Sequence, residues 1–489
     1  MANTTTKDFS LLDLEEVKLF VNGSWVTAST DTFFTLKNPS TKEVIANVPR
    51  GGRDEAKNAI EAANAAFPQW SKLTANDRAD YLLRLRDLML ENEEELATLM
   101  SMEMGKAFGE SIGEVKYAAN FLSWYAEEGR RVYGETIPAS SPNKRLFVIK
   151  QPVGVVAAIT PWNFPLAMMT RKLGPALAAG CTGVVKPASQ SPLSALAFAK
   201  LVEKAGIPNG VVNIVAGKTQ EISDEIFENP VVKKVSFTGS TDVGKTLVEK
   251  SAKQLKKLSL ELGGHAPFIV FEDADLDKAA EGALASKFRN AGQTCICANR
   301  IYVHENVKEE FATRFIEKVR HLKVGDSLDP SVQIGPLVNE DGLNKVVEHV
   351  KDAQLKGAVV LEGGHIKEDG DGYFFEPTVI DNVSKDMFIM SEETFGPVAP
   401  LFTFSSDEEV IIEANDTEYG LAAYLYTSNL ERAVRVSESL NFGVIGLNDA
   451  VPGVPQAPFG GMNQSGYGRE GGHQGIKDYL EEKFISLSL

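Results

Sequence analysis

Four short apolar runs, separated by helical stretches, repeat along the chain between residues 154 and 263. The runs are Val155 to Ile159, Gly183 to Lys186, Val211 to Val215 and Val232 to Phe237. Strands without a polar face are typical of a parallel sheet that helices cover on both sides, because such strands are shielded from water. The repeat predicts an α/β fold and leaves few other architectures open.

Polar sequences follow three of these runs, at the point where each predicted strand ends. They are TPWNFP at residues 160–165, KPAS at 186–189 and TGSTDVG at 238–244. Ligands of open parallel sheets bind beyond the carboxyl ends of the strands, so the three ends predict one shared crevice. We expect this crevice to hold a nucleotide cofactor.

A further glycine pattern near the C-terminus, GYGREG at residues 466–471, matches the dinucleotide fingerprint GxGxxG. Too few residues follow it for a complete βαβ unit with its ribose-binding acid. We therefore interpret this segment as a loop.

Outside this sheet, the helices of residues 54–104 are expected to be scaffold, and further elements follow along the chain. Helical periodicity covers residues 54–104, a β-hairpin extension is predicted at 131–151, and a second α/β layer runs from Cys297 to about residue 440. The tail, Phe484 to Leu489, alternates like an edge strand. An exposed edge needs a partner, so we expect a homo-oligomer.

Length and charge exclude several classes of protein. A chain of 489 residues exceeds one ordinary core, so two or three domains are expected. The net charge of −17 argues against nucleic acid as a partner. Prolines interrupt the most apolar stretch, residues 153–169, so no membrane span is expected. The first twenty residues lack the features of a signal or transit peptide, and three cysteines fit a reducing compartment better than a disulfide framework. We therefore expect the protein in the cytoplasm.

Two chemically distinctive stretches flank a helix predicted at about Leu276 to Asn290. The first, ELGGH, begins with Glu261, and the second, GQTCIC, contains Cys295. A cysteine in a glycine-flanked turn can attack as a thiolate, with backbone N–H groups free for a developing oxyanion, and Glu261 is a candidate general base. The alternative interpretations are a small buried thiol and an acid that only caps or pairs.

Six motifs in chain order resemble those of the aldehyde dehydrogenase superfamily: PWNFP, KPAS, FTGST, ELGG, GQTC and EETFGPV. The resemblance extends from about residue 20 to the C-terminus. Within the superfamily the chain is most similar to the succinate-semialdehyde dehydrogenases, through TRK at residues 170–172, KFRN at 287–290 and the doubled cysteine at 295–297.

The resemblance implies a fold of two parallel-sheet α/β domains, one cofactor-binding and one catalytic, with a β-hairpin oligomerisation extension. The implied NAD(P)-binding domain is residues 1–130 and 152–259, and the catalytic domain is 260–455. Residues 131–151 and 476–489 form the implied extension of a homodimer or homotetramer.

The resemblance also implies a mechanism. Cys295 attacks an aldehyde carbon, the Asn163 amide and a backbone N–H near Cys295 hold the oxyanion, hydride leaves for a nicotinamide, and Glu261 activates the water that hydrolyses the thioester. Asn163 has the alternative role of capping a helix that Pro165 begins.

The cofactor implied is NADP or NAD. Lys186 is expected to bind the adenosine ribose, Ser240 the pyrophosphate and Glu393 the nicotinamide ribose, with Phe395 packed beside it. A serine at Ser189, where NAD-dependent relatives tend to have glutamate, is compatible with a 2′-phosphate. The remaining residues implied to line the cofactor site are Thr160, Pro161, Trp162 and Gly239. An ordinary surface lysine is the alternative for Lys186.

The substrate implied is a small anionic aldehyde, with succinate semialdehyde preferred and sulfolactaldehyde or glutarate semialdehyde as alternatives. Arg171 and Arg289 would grip its remote anion, and Phe164 and Phe459 would line its path. The alternatives are an internal ion pair for Arg171 and a helix-dipole contact for Arg289. The loop VPGVPQ at residues 451–456 lacks the substrate-binding serine that relatives place there.

The other cysteines and histidines complete the predicted chemistry. Cys297 either forms a reversible bridge with Cys295, as redox-regulated relatives imply, or simply packs, while Cys181 is expected in the core. The six histidines show no metal-ligand spacing, so no metal is expected. A binding protein that had lost its catalytic chemistry would lack the nucleophile, the base or the amide, and all three are present in this sequence. A thiol-redox protein would carry Cys-x-x-C at the start of a helix, an arrangement that Cys295 and Cys297 do not form.

Overall fold

The computed structural model describes residues 9–368 and 370–489. Residues 1–8 lie outside the described residues. They are part of the predicted domain segment 1–130 and of the N-terminal stretch in which no signal peptide is expected. In the first half of the chain the strands are β1 (Leu19–Val21), β2 (Ser24–Val26), β3 (Phe33–Lys37), β4 (Val44–Pro49), β5 (Glu135–Ile137), β6 (Lys144–Pro152), β7 (Val155–Ile159), β8 (Thr182–Lys186), β9 (Val212–Ile214), β10 (Val232–Thr238) and β11 (Lys257–Glu261). The helices are α1 (Arg53–Trp70), α2 (Ala75–Glu91), α3 (Glu93–Met104), α4 (Phe108–Glu128), α5 (Ala167–Ala179), α6 (Pro192–Lys204), α7 (Thr219–Glu228) and α8 (Thr241–Ser251).

The second half of the chain continues the alternation. Its strands are β12 (Ala266–Val270), β13 (Ala298–His304), β14 (Val359–Glu362), β15 (Thr378–Asp381), β16 (Val398–Phe404), β17 (Ala422–Tyr426), β18 (Val444–Leu447), β19 (Gly466–Tyr467) and β20 (Leu480–Ser488). Its helices are α9 (Leu276–Phe288), α10 (Lys308–Arg320), α11 (Glu340–Leu355), α12 (Phe388–Ser391), α13 (Asp407–Asn415) and α14 (Leu430–Ser439).

The first large sheet has the order β19-β11-β10-β7-β8-β9-β1-β2. The four predicted apolar runs are its strands β7 to β10, and β7, β8 and β9 are fully buried. From β11 to β9 the strands are parallel, which confirms the predicted parallel sheet. The chain starts at β7, runs outward through β8 and β9, and returns to β10 on the other side. A ligand crevice is expected where the strand order reverses in this way.

The second large sheet has the order β14-β15-β16-β13-β12-β17-β18. It is parallel except for β14, which pairs antiparallel with β15. Each large sheet has its own hydrophobic core: most of the first lies before residue 263, and the second lies between residues 266 and 459. The predicted α/β fold with two sheet domains is confirmed, while the exact domain boundaries stay a prediction.

Two smaller sheets complete the structure, β20-β6-β5 and β3-β4. β5 and β6 form the hairpin predicted at 131–151, and the tail strand β20 pairs antiparallel along the whole of β6. The GYGREG segment contains the two-residue strand β19 and no helix follows directly, so its interpretation as a loop is confirmed. Among the described residues, no helix has both the length and the apolar character required to cross a membrane.

Helix α5 connects the sheet to the functional site. Every residue of α5 is buried, including Arg171 and Lys172, because the helix packs between β7 and the long helix α4. The helix ends at Gly180, whose φ of 100° is the left-handed conformation that glycine adopts at low cost. Two buried cations on an otherwise apolar helix need anionic partners, since an unpaired buried charge is costly.

Candidate active site

A cavity of about 580 Å³ lies beyond the carboxyl ends of the first sheet and extends to the loops of the second. It brings together most of the residues proposed from sequence: Pro161, Trp162, Asn163, Phe164, Arg171, Gly239, Ser240, Arg289, Cys295, Glu393, Phe395 and Phe459. Five others do not line it directly: Thr160, Lys186, Ser189, Glu261 and Cys297. Both sheet domains therefore contribute to one site.

An unusual turn presents Cys295. Helix α9 ends at Phe288, two residues short of the prediction, and Asn290 and Ala291 then adopt φ values of 52° and 54°, followed by Gly292 at 76°. Consecutive left-handed residues are strained and persist where the surroundings hold them. The Glu110 carboxylate does so by accepting the Asn290 N–H at 2.8 Å. Strain is thus concentrated directly before the cysteine.

The Cys295 thiol is only partly buried and faces the cavity. Burial, followed by the charge of Glu393, raises the pKa of Cys295 to about 12. The thiol is therefore neutral near pH 7, and it needs a base before it can attack as a thiolate.

Asn163 lies beside the cysteine loop. Its amide nitrogen donates to the Gln293 carbonyl at 2.9 Å, and its own backbone carbonyl accepts from Lys106 at 2.7 Å. Helix α5 begins at Ala167 and not at Pro165, so the helix-cap alternative for Asn163 is wrong. The Cys295 N–H has no hydrogen-bond acceptor within the described parts of the chain. An amide N–H and a backbone N–H together are suited to holding an oxyanion.

Glu261 is the last residue of β11 and is buried, while the next two residues line the cavity. Neither of its carboxylate oxygens has a hydrogen-bond partner among the described residues, so it neither caps nor pairs. Burial first, and then the charge of Glu470, raise the pKa of Glu261 well above its ordinary value. A Cβ atom at Gly460 would lie 2.9 Å from this carboxylate, so glycine leaves it room. A carboxylate with a raised pKa and no partner is suited to accepting a proton.

The ends of β7 and β8 lie side by side next to the cavity-lining residues Pro161 and Trp162. The Thr160 N–H donates to the Lys186 carbonyl at 3.1 Å, which joins the two strand ends. The Lys186 side chain is buried, so the surface-lysine alternative is wrong. Burial lowers the pKa of Lys186 to about 8. Ser189, three residues further on, is half-buried in the turn that leads to α6.

Helix α8 begins directly after β10 at the same edge of the sheet. Ser240 occupies its N-cap position, and its hydroxyl does not cap the helix. A Cβ at Gly239 would lie 2.3 Å from the Phe237 ring, so a larger residue here would require that ring to move. A helix N-terminus with a free hydroxyl is suited to binding a phosphate group.

The second domain contributes Glu393 and Phe395 to the cavity. One Glu393 oxygen accepts the Gly264 N–H at 3.2 Å, and burial raises the pKa of Glu393 to about 7. Phe395, at a φ of 54°, packs edge to face on Trp162 with ring centroids 5.6 Å apart. The two domains meet at this aromatic contact.

The two arginines differ in their partners. Arg171 is buried, and its Nε lies 2.9 Å from a Glu470 carboxylate oxygen, so the internal ion pair is present. Burial opposes its charge, but the Glu470 carboxylate prevails and the pKa of Arg171 is raised. Arg289 is half-buried and has no salt bridge or side-chain hydrogen bond to any described residue. It directly follows α9, where a cation also complements the helix dipole.

Two phenylalanines pack against these cations. The Phe164 ring lies 3.8 Å from Lys106 Nζ and 5.5 Å from the Arg289 guanidinium carbon, and the Phe459 ring lies 4.2 Å from that of Arg171. Such cation–π contacts restrain the charged side chains without neutralising them.

Several residues of the site were missed by the sequence analysis. The cavity wall includes Lys106, Glu110, Glu114 and Tyr117, which lie just before or on helix α4. The spacing of the last three, at i, i+4 and i+7, places polar groups on one helix face and was the available signal. Glu470, the partner of Arg171, gave no such signal, because it lies in the GYGREG segment at residues 466–471, which was interpreted as a loop.

Cys297 and Cys181 are buried free thiols. Cys297 Sγ lies 3.3 Å from the Lys287 carbonyl, and burial raises its pKa. Its proposed bridge with Cys295 stays a prediction. Cys181 lies in the first core, as predicted, and donates to the Tyr479 carbonyl.

Comparison with known proteins agrees with this geometry. The model of the aldehyde dehydrogenase family matches residues 25–485. The chain is 54% identical over 469 residues to the succinate-semialdehyde dehydrogenase (NADP(+)) GabD of Escherichia coli, covering 96% of this chain and 97% of the relative. It is 52% identical over 483 residues to glutarate-semialdehyde dehydrogenase of Pseudomonas putida, covering 98% and 100%. The crystal structure of succinate-semialdehyde dehydrogenase from Burkholderia pseudomallei matches with a TM-score of 0.97 and 51% identity, covering 99% of this chain and 100% of that one.

Proposed function

The chain belongs to the aldehyde dehydrogenase family, and from this premise we propose that it oxidises a small anionic aldehyde, succinate semialdehyde by preference, to the carboxylic acid. The observation that carries the proposal is Arg289. Its guanidinium lines the cavity that holds Cys295, and no described residue neutralises it by a salt bridge. An arginine can bind a carboxylate through two parallel hydrogen bonds, which an uncharged aldehyde cannot accept.

The roles of the catalytic residues follow from their positions. Glu261, whose carboxylate has no partner among the described residues, takes the proton of the Cys295 thiol and passes it to solvent. The Cys295 thiolate then attacks the aldehyde carbon, and the Asn163 amide and the Cys295 N–H hold the oxyanion of the resulting thiohemiacetal. Loss of a hydride from that carbon leaves a thioester on Cys295. Glu261 then takes a proton from the water that hydrolyses the thioester, because its unpartnered carboxylate has a raised pKa.

The cofactor is NADP or NAD, and the residues at the strand ends fit such a molecule. The Lys186 ammonium would bind the adenosine ribose, the Ser240 hydroxyl and the α8 N-terminus the pyrophosphate, and Glu393 the nicotinamide ribose. When bound, the nicotinamide supplies the hydride acceptor. Ser189 adds no negative charge near the ribose, and this supports acceptance of the 2′-phosphate of NADP.

Glutarate semialdehyde is the second candidate, because a relative that is 52% identical is named for it. It carries the same terminal carboxylate on a chain one methylene longer. One methylene in an apolar pocket changes specificity by about 10- to 200-fold, so the two substrates can be separated by their rates. Sulfolactaldehyde, with a sulfonate in place of the carboxylate, is the other anionic substrate to compare.

A substrate panel tests the proposal. For the parent enzyme we expect kcat/KM to be highest for succinate semialdehyde and much lower for butanal, which lacks the anion. Arg289→Gln should lower kcat/KM for succinate semialdehyde by about 30- to 140-fold, the effect of losing a hydrogen bond to a charged group of ~2–3 kcal/mol, and leave kcat/KM for butanal within about twofold.

Arg289→Lys is the matched control, since it keeps the charge and loses the paired hydrogen bonds. The kcat/KM of Arg289→Lys for succinate semialdehyde should lie between that of the parent enzyme and that of Arg289→Gln. A parent enzyme that oxidises butanal best, or a glutamine variant that loses both substrates equally, would contradict the proposed anion site.

We also infer that the enzyme is a cytoplasmic homo-oligomer. The three cysteines are free, which suits a reducing compartment. The small sheet β20-β6-β5 has two edges, and the outer edge of β20 pairs with no strand among the described residues. Such an edge needs a partner, and a second copy of this chain offers the same edge.

A further inference from the structure

Tyr117 is a half-buried side chain of α4 that lines the same cavity as Arg171, Arg289 and Cys295. It shares its helix face with Glu110 and Glu114. Both carboxylates are already engaged, Glu110 with the Asn290 N–H and Glu114 with Lys106 and the first N–H groups of α5. By contrast, the Tyr117 hydroxyl has no hydrogen-bond partner in the described ranges, 9–368 and 370–489. It is therefore a polar group of the cavity wall without an assigned role.

The position of the Tyr117 ring is well defined. Phe121, one helical turn further along α4, packs edge to face against it with centroids 5.0 Å apart, and Phe121 is itself buried. The Tyr117 hydroxyl, at the far end of the ring, lies close to Gly453 of the 451–456 loop, which lines the same cavity. A Cβ atom at Gly453 would lie 3.4 Å from the Tyr117 hydroxyl, and no other heavy atom would lie within 4 Å of it. The hydroxyl thus lies next to Gly453, and of the two loop residues that line the cavity, Val451 and Gly453, only Gly453 has no side chain.

The charges around Tyr117 suit it as a donor toward an anion. Burial raises the pKa of Tyr117, and the charges of Arg171 and Arg289 oppose that rise. The phenol remains protonated near neutral pH. A neutral O–H that lines the same cavity as Arg289, which has no salt bridge to any described residue, can add a hydrogen bond to a bound anion without adding charge.

We propose that the Tyr117 hydroxyl, together with Arg289, donates a hydrogen bond to the remote anionic group of the substrate and so determines the preference for anionic aldehydes. This inference rests on the proposed function, because it assigns a further residue to the same substrate site. The 451–456 loop offers no hydroxyl of its own, and the side chain that faces it from α4 supplies one.

Tyr117→Phe tests the proposal, since it removes only the hydroxyl. We expect KM for succinate semialdehyde to rise about tenfold, the effect of losing one hydrogen bond to a charged group, with kcat within about twofold of the parent. Both constants for butanal should stay within about twofold. Tyr81→Phe, a half-buried tyrosine that packs on Trp70 away from the cavity, is the control for loss of a phenol elsewhere.

A rescue variant separates the hydroxyl from the ring. The space at Gly453 accepts a Cβ at ordinary contact distance from residue 117, so Gly453→Ser places a new hydroxyl beside the lost one. In the Tyr117→Phe background, Gly453→Ser should recover at least half of the tenfold rise in KM for succinate semialdehyde.

The possible results are distinguishable. An unchanged KM for succinate semialdehyde in Tyr117→Phe overturns the inference, and so does an equal loss for both aldehydes, which would mean that the ring only packs. Failure of the proposed function is read from the parent enzyme alone, as a preference for butanal, before any variant is compared.

Discussion

At the scale of single residues, the site is built from ionisable groups in surroundings that disfavour charge. Burial raises the pKa of Cys295 to about 12 and that of Glu393 to about 7, and it lowers that of Lys186 to about 8. Where burial favours the uncharged form of a group, a bound partner of opposite charge or a nearby proton acceptor changes the protonation state of that group strongly. The same burial that stabilises the fold thus prepares these side chains for chemistry.

The pH dependence of cofactor binding follows from Lys186. A lysine is charged below its pKa, so its ammonium is present below about pH 8 and is lost as the pH rises through that value. We expect KM for NADP to rise by about tenfold or more between pH 7 and pH 9.5 if this ammonium binds the cofactor. Steady-state kinetics at saturating aldehyde measure KM for NADP at each pH.

Lys186→Arg is the control for this prediction, because arginine stays charged throughout the range. Its KM for NADP should show no inflection near pH 8. A parent enzyme whose KM for NADP is flat between pH 7 and pH 9.5 would show that Lys186 does not bind the cofactor through its charge.

At the scale of elements, the parts of the site that could be predicted are those defined by local sequence. β7, β8 and β10 were predicted because each is a continuous apolar run that ends in polar residues. The role of Ser240 at the pyrophosphate came from the family resemblance, and Ser240 lies at the N-terminus of α8. The left-handed turn at 290–292 was not predicted, because it depends on Glu110, which is 180 residues away in sequence.

The small sheet carries a prediction about assembly. Leu487 on β20 is 45% exposed in the single chain. If copies of the chain associate through this strand, Leu487→Glu places like charges from two copies near each other and should shift the enzyme to a smaller species. Light scattering coupled to size exclusion measures the mass against the 53.1 kDa of one chain.

Leu355→Glu is the matched control, since Leu355 is 88% exposed at the end of α11, remote from this sheet. It should leave the mass of the assembly unchanged. A parent enzyme that already runs at the mass of one chain would contradict assembly through β20.

At the scale of the whole molecule, the site exists only where the two sheet domains meet. Asn163 and Glu261 lie at or just beyond the ends of strands of the first sheet, Cys295 and Glu393 lie in loops that adjoin the second sheet, and the Trp162–Phe395 contact joins the two parts. Contacts of this kind could not be inferred from local patterns. The two buried cations of α5 share one anionic partner, Glu470, and the Lys172–Glu470 pair spans 298 residues of sequence. The cations are evident in the sequence, whereas their partner is evident only in the folded chain.

The most direct test of this account is a search for the acyl group on Cys295. The enzyme is mixed with succinate semialdehyde and NADP, quenched in acid within one turnover, digested and examined by mass spectrometry. We predict one succinyl group per chain on the peptide that contains Cys295, formed at least as fast as kcat, and no adduct or turnover in Cys295→Ser. A Cys295→Ser enzyme that turns over at the parental rate, or a parent enzyme without the adduct, would contradict covalent catalysis at this sulfur.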